Sequence, residues 1–145
     1  MRQDARHQLE DLLDREISAA HSLAGILAEE RNALTGASPD AVHETASDKV
    51  RMLGEIESLE SQRRALWDAS GVVAAAPGDN LMQRWHSLMK VVAGCRTANE
   101  VNGHIINIRQ NQIRQLFDIV RGGAPVTYGP QGKTFARTLR ALARA

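Results

Sequence analysis

The side chains best suited to metal binding or nucleophilic chemistry are few in this chain, and they stand apart from one another. Its 145 residues include five His and a single Cys. No two histidines have the H-x-H or H-x-x-x-H spacing that brings two ligands to one ion, so the sequence predicts no metal site and no metal cofactor. Cys95 lies in a row of apolar residues, which favours a small core side chain over a nucleophile. The histidines are interpreted as surface or helix-packing residues: His7, His21, His43, His86 and His104.

Two other patterns resemble chemical sites without meeting their requirements. Residues 129–134 read GPQGKT, the end of a phosphate-binding loop, but the position five before Gly132 is Thr127 and no apolar strand precedes it. The adjacent carboxylates Glu29 and Glu30 stand in a charged helical stretch, where solvation or ion pairing is expected. The sequence therefore presents no catalytic residue set, and we expect a protein that is not an enzyme and needs no cofactor.

Composition indicates one soluble domain whose charge is unevenly distributed. Hydrophobic residues make up 43% and charged residues 24% of the chain. Neither a signal peptide nor a membrane span is expected, and the lone Cys suits a reducing cytoplasm. Residues 1–70 carry 8 basic and 14 acidic side chains, whereas residues 71–145 carry 10 and 3. Acidic and basic helices packed side by side would explain this asymmetry. A basic tail that meets an acidic partner, nucleic acid or an anionic membrane surface is the alternative.

Apolar residues at helical spacing predict two long helices in the first half, over about residues 4–35 and 39–70. Gly36 and Gly71 stand where these helices should end. Ser38 is suited to capping the second helix, and Pro39 to its first position. The rows of residues spaced seven apart are Leu13, Ala20, Leu27 and Leu34, and then Thr45, Met52, Leu59 and Leu66.

A third helix is predicted over about residues 80–121, and its two seven-spaced rows are both interrupted by polar residues near the middle. One row contains Leu81, Leu88, Cys95, Asn102, Arg109 and Leu116, and the other contains Trp85, Val92, Asn99, Ile106, Ile113 and Val120. Polar residues at such positions can fix the register or the partner of a helix at some expense of stability.

The last part of the chain is predicted to be a basic tail. Gly122, Gly123 and Pro125 end the third helix. Beyond Thr134, Phe135, Leu139 and Leu142 are spaced by four and three, and the arginines fall off that face: Arg137, Arg140 and Arg144. We therefore predict an all-α fold in which residues 1–122 form a coiled-coil-like bundle of three long antiparallel helices. Residues 123–145 form a flexible, partly helical tail.

Three blocks of residues carry a resemblance to a known family. The first is Ile26–Leu34 (ILAEERNAL), and the second comprises Lys49, Leu53, Ile56, Leu59, Arg63 and Leu66. The third and most specific runs from Asn99 through Asn102-Gly103 to Arg114 and Leu116, with Tyr128-Gly129-x-x-Gly132 after it. Together they resemble the FlgN family of flagellar export chaperones over about residues 9–134.

The resemblance implies a cytoplasmic chaperone that binds the C-terminal helices of hook–filament junction proteins and delivers them to the flagellar type III export gate. The export ATPase complex is a further candidate partner. Client binding would fall on the end of the third helix and on the tail, and Tyr128 would assist docking at the gate. Asn99, Asn102 and Gly103 would be structural. The implied client-binding residues are Ile113, Leu116, Phe117, Val120, Phe135, Leu139 and Leu142.

Other interpretations remain open at the level of sequence. Ile113, Leu116 and their neighbours would equally suit the core of the bundle, and the tail would also suit a fourth helix docked on the resting fold. Tyr128 would also suit an ordinary turn. A generic helical adaptor that forms a coiled-coil homodimer and has no flagellar client is the main alternative function. A binder of nucleic acid or anionic membrane through the tail is a third.

Overall fold

The computed structural model describes residues 2–36, 38–71 and 79–120, and these form three helices. The helices are α1 (Arg2–Thr35), α2 (Pro39–Ser70) and α3 (Asn80–Val120). The described ranges contain no strand, so the prediction of an all-α fold is confirmed, and the predicted helix ends agree within two residues. None of these helices combines the length and the apolarity that crossing a membrane requires.

Local chemistry explains where α2 begins and ends. Ser38 has an extended backbone with φ of −105°, and its Oγ accepts a hydrogen bond from the Ala41 amide at 3.3 Å. Pro39 occupies the first turn, where its missing N–H costs no intrahelical bond. At the other end Gly71 adopts a φ of +61°, a left-handed conformation that glycine enters without strain. The sequence predicts Ser38 as the cap, Pro39 as the first residue and Gly71 as the end of this helix, and the structure agrees.

Helices α1 and α3 run in one direction and α2 runs in the opposite direction. In space, α1 lies between the other two helices. Ion pairs join Glu16 to Arg63 and Glu30 to Lys49, so α2 is antiparallel to α1. Hydrogen bonds between α1 and α3 join residues that are 70 to 75 positions apart over most of the length of α1. A constant separation means that α3 runs parallel to α1.

The core lies on the two sides of α1. The first row predicted on α3 packs against α1: Leu81, Leu88 and Cys95 are buried, and Asn102 is fully enclosed. These side chains meet leucines of α1 that recur at helical spacing and are almost fully buried: Leu9, Leu13 and Leu27. Burial of this apolar stripe is the main source of stability for helices of this length.

Candidate functional site

A groove separates α2 from α3, with α1 as its floor. No Cα atoms of the two outer helices come within 8 Å of each other in the described ranges, and only side chains join them. We call the part of the groove between Trp85 and Asn99 the upper chamber. It has a volume of about 310 Å³ and is open on one side. Its apolar lining includes Leu23, Leu27, Leu53, Ile56, Leu88 and Val92.

A buried polar cluster closes one end of the upper chamber. Lys49 Nζ of α2 donates to Asn99 Oδ1 of α3 at 2.9 Å and lies 3.2 and 3.3 Å from the two carboxylate oxygens of Glu30. Asn102 Nδ2 donates to Glu30 Oε1 at 3.0 Å and to the Leu27 carbonyl at 2.8 Å. A buried charge is tolerated only when it is paired and hydrogen-bonded in this way. The cluster therefore joins all three helices at one level.

A second polar contact lies at the other end of the upper chamber. Arg63 Nε donates to Glu16 Oε1 at 2.8 Å, and the guanidinium carbon is 4.8 Å from the centroid of the Trp85 ring. Burial raises the pKa of the Glu16 carboxyl above its usual range, although Arg63 beside it acts in the opposite direction. Here too a cation of α2 is held between a carboxylate of α1 and a side chain of α3.

Beyond the Lys49 cluster the groove continues toward the α1–α2 turn. We call this part the lower chamber; it has a volume of about 480 Å³. Its apolar lining comes from all three helices: Leu34, Pro39, Val42, Ala46, Ile106 and Ile113. The second row predicted on α3 thus lines the groove, from Trp85 at the upper end to Ile113 at the lower end.

The last turns of α3 extend past the end of α1. Arg109 Nη2 donates to the Gly36 carbonyl at 2.8 Å, which marks the level at which α1 stops. Residues 110–120 follow in the same helix, a length of about 16 Å at 1.5 Å per residue. We call these residues the overhang. Their large apolar side chains are between 52% and 84% exposed: Ile113, Leu116, Phe117, Ile119 and Val120.

Four of the exposed residues share one face of the overhang. Ile113, Leu116, Phe117 and Val120 recur at spacings of three, one and three, which places them in a single stripe, here called the overhang stripe. Ile119 lies about a third of a turn away from it. Ile113 also lines the lower chamber. The overhang stripe therefore continues the apolar surface of the groove beyond the bundle.

The remaining predicted site residues divide between buried positions and positions outside the described ranges. Asn99 is 5% and Asn102 0% exposed. A Cβ placed on Gly103 would have no atom within 4 Å, so a close helix approach does not require glycine there. Tyr128, Phe135, Leu139 and Leu142 lie outside the described residues.

The partners of the two buried ion pairs were not predicted from the sequence, but a signal for them exists. Glu16 and Glu30 replace apolar residues in a heptad row of α1, and they are 14 positions apart. Lys49 and Arg63 on α2 are also 14 apart. Two acids and two bases at matching separations on antiparallel helices predict two buried ion pairs at fixed levels.

The polar groups of the described residues do not meet the requirements of a metal site. No group of three or more His, Cys, Asp or Glu that could hold a metal ion occurs among residues 2–36, 38–71 and 79–120. The thiol of Cys95 lies 3.4 Å from the Ala20 carbonyl, and burial raises its pKa. What the arrangement offers is an apolar surface for binding.

Comparison with known proteins assigns the chain to a family. The family model described as FlgN protein matches residues 1–135. The chain belongs to the FlgN family. No curated protein and no solved structure matches it significantly.

Membership of the FlgN family implies a flagellar export chaperone role. The match confirms the resemblance seen in the three sequence blocks, and it includes the whole bundle and the overhang. It reaches Phe135, so Leu139 and Leu142 lie beyond the matched residues.

Proposed function

We propose that this FlgN-family protein is a cytoplasmic export chaperone for the hook–filament junction proteins. In this proposal it binds their C-terminal helical segments, keeps them monomeric and delivers them to the flagellar type III export gate. The work is binding and release, without catalysis or a cofactor. The export ATPase complex is a further partner under this proposal, and nucleic acid is not one.

The overhang stripe is the observation that carries the proposal. A helix end that extends about 16 Å past the end of α1 exposes a row of large apolar residues, and contiguous exposed apolar surface of this kind is characteristic of binding sites. A row at this spacing matches the apolar face of a partner helix, as in helix-in-groove recognition. The stripe leads into the lower chamber, which lengthens the surface that a client helix would cover.

The C-terminal tail, residues 123–145, also contributes to client binding and delivery in this proposal. Phe135, Leu139 and Leu142 form a row at helical spacing that would close over a bound client helix, and Tyr128 would dock the loaded chaperone at the gate. Burial of the three apolar residues of this row would contribute about 1.5–3 kcal/mol for each side chain. Much of that gain is offset by ordering the segment, at about 1–2 kcal/mol of backbone entropy per residue. Binding of this kind is reversible, as handover requires.

Calorimetric titration of the full chain with the C-terminal helical peptide of the cognate junction protein tests the proposal. We expect saturable one-to-one binding that changes little with salt and has a negative heat-capacity change, the signature of apolar burial. Absence of binding, together with a stable dimer in light scattering, would contradict the chaperone assignment. It would favour the generic helical adaptor that self-associates. Binding that falls steeply with salt would instead indicate electrostatic capture by the basic tail.

A further inference from the structure

Two buried side-chain oxygens on one face of α3 lack hydrogen-bond partners. They are Asn107 Oδ1 and Gln110 Oε1, and no donor in the part of the chain that the structure describes bonds either of them. A separation of three positions places both residues on the same face of the helix. A buried acceptor without a donor is unfavourable, and native proteins contain few of them. Two such acceptors on adjacent turns indicate that their donors belong to another molecule.

Amide side chains earlier in the same helix have their oxygens paired. Asn99 Oδ1 accepts a hydrogen bond from Lys49 at 2.9 Å, and Asn102 Oδ1 accepts one from Arg31 at 3.2 Å. The unpaired oxygens lie beyond this polar cluster, where α3 borders the lower chamber. The change from paired to unpaired amides therefore coincides with a part of the groove that the bundle leaves open.

The lower chamber contains one of the two unpaired amides in its wall. Gln110 lines this chamber together with Ile106 and Ile113, so the amide stands within an apolar surface that leads into the overhang stripe. A partner that covered this surface would exclude water from the amide and would have to bond it. The chamber consequently requires hydrogen-bonding groups of its partner as well as an apolar face.

Free space beside Asn107 gives a partner side chain access to its oxygen. Gly103 precedes Asn107 by one turn on the same face, and a Cβ placed on Gly103 would have no atom within 4 Å. The terminal torsion of an Asn or Gln side chain has a broad distribution. A modest rotation of either amide can therefore present its oxygen to a donor that enters from the groove.

We infer that Asn107 and Gln110 are specificity-determining residues of the client site, an inference that rests on the proposed function. The client helix would cover the lower chamber with apolar side chains and would also carry neutral donors three or four positions apart. Glu30, which lines this chamber, is already paired with Lys49, whereas Arg109 adds a positive charge, so a cationic donor is disfavoured. The expected donors are the hydroxyl or amide groups of Ser, Thr, Asn or Gln side chains.

These two amides would discriminate between helices that an apolar surface alone would bind alike. An apolar pocket separates ligands of similar size poorly, whereas a site that must form a hydrogen bond rejects a ligand that lacks the donor. A helix with a wholly apolar face would leave both oxygens unpaired in the closed site. The chaperone would thereby bind its client in preference to other amphipathic helices.

Double-mutant cycles between the full chain and the junction peptide test this inference. Gln110→Met replaces the amide with an apolar side chain of similar length, and Gln112→Met is the matched control at an exposed position of α3. The peptide is varied by replacing each Ser, Thr, Asn and Gln in turn with Ala. Calorimetry should show that Gln110→Met weakens binding of the unaltered peptide by about fivefold or more, and Gln112→Met by less than about twofold.

The peptide variants then identify the donor. One peptide substitution should weaken binding to the wild-type chain by about fivefold and to Gln110→Met by less than about twofold. Asn107→Leu should couple in the same way to a peptide residue three or four positions from the first. Full binding by Gln110→Met, or equal effects of every peptide substitution on the two chains, would overturn the inference and leave the chaperone role standing. Failure of the wild-type chain to bind the peptide would refute the proposed function, together with the inference that rests on it.

Thermal melting of the empty chain gives an independent measurement. Because Gln110→Met removes a buried unpaired acceptor, it should raise the Tm by about 2–4 °C, whereas Gln112→Met should leave the Tm within about a degree. A lower Tm for Gln110→Met would show that the amide is already bonded within the chain. That result would overturn the inference, whatever the affinity for the peptide.

Discussion

Lys49 on α2 and Asn99 on α3 are hydrogen-bonded across the groove, with Nζ 2.9 Å from Oδ1. No Cα atoms of these two helices approach within 8 Å in the described residues, so the lysine side chain spans a gap that backbone packing leaves open. The same ammonium group lies 3.2 Å from a Glu30 oxygen on α1. One buried cation therefore fixes the relative level of all three helices.

Removal of this cation should be among the most destabilising single changes in the bundle. Lys49→Ala leaves the Glu30 carboxylate buried without a cation, with only the Asn102 amide as a donor, and breaking a buried pair in this way costs about 3–5 kcal/mol. Urea unfolding followed by circular dichroism measures the change in the free energy of unfolding. Lys90→Ala, at an exposed position on α3, is the control and should change it by less than about 0.5 kcal/mol. A small effect of Lys49→Ala would show that the cluster is not closed in solution.

Glu16 should make stability depend on pH in a direction opposite to most carboxylates. Burial raises the pKa of Glu16 in the folded state. Between the unfolded pKa of about 4.3 and the higher folded pKa, the folded chain holds a proton that the unfolded chain has released. The contribution of Glu16 to stability therefore falls as pH rises through that window.

Comparison with Glu16→Gln isolates this effect. The wild-type chain should be more stable relative to the variant at about pH 4 than at pH 7, as measured by urea unfolding at each pH. Glu29→Gln, at an exposed position on the same helix, is the control for loss of a carboxylate. A stability difference that grows with pH would mean that Arg63 outweighs burial.

Asp79 should have the ordinary acid dependence. Its Oδ1 accepts a hydrogen bond from the Leu81 amide at 3.0 Å and also pairs with Arg6 of α1. The Arg6 hydrogen bond, with help from the Leu81 amide, lowers the pKa of Asp79. Its stabilisation is thus complete above the unfolded pKa of about 3.9 and is lost as pH falls below it.

The Asp79 side chain caps the N-terminus of α3 through the Leu81 amide. Its contribution is tested by measuring the melting temperature at two pH values. Asp79→Ala should lower the melting temperature at pH 7, because it removes both the N-cap of α3 and the link to α1. The difference from wild type should shrink at about pH 2.5. Asp79→Asn keeps a capping oxygen and loses the charge. Its melting temperature at pH 7 should therefore lie between those of the wild type and Asp79→Ala. If Asp79→Ala lowered the melting temperature equally at both pH values, the charged carboxylate would not be the cause of the effect.

Two substitutions in the overhang should separate client binding from folding. Leu116→Asp places a charge in the overhang stripe and should weaken junction-peptide binding at least tenfold, since a buried Leu contributes about 1.5–3 kcal/mol. Ile119→Asp makes a similar change at a residue that is 76% exposed and off the stripe, and should leave affinity within about twofold. Calorimetry measures both. Equal weakening by the two variants would mean that charge in the overhang, and not the stripe, sets affinity.

The fold was largely predictable because its signals are local. Pro39 and Ser38 mark the start of α2 through their own backbone chemistry, and Gly71 marks its end through a left-handed conformation. The seven-spaced rows then show which face of each helix is buried. These features need no knowledge of how one helix aligns with another.

The partners of the polar residues were harder to predict because they depend on that alignment. Asn99 and Asn102 are three positions apart on α3, yet one bonds Lys49 across the groove and the other bonds α1. A shift of α3 by one turn would give both side chains other partners without altering any sequence pattern. For the same reason the heptad rows could not distinguish an internal groove from a dimer interface.

The division of α3 into a packed part and an overhang has an evolutionary consequence. Residues up to Arg109 pack against α1 along most of their length, whereas residues 114–120 make up most of the exposed apolar end of the same helix. Substitutions in that end can therefore accumulate with little penalty to the bundle. Under the proposed function, a lineage or a protein engineer would retarget the chaperone by exchanging about two turns of one helix and keeping the rest of the molecule.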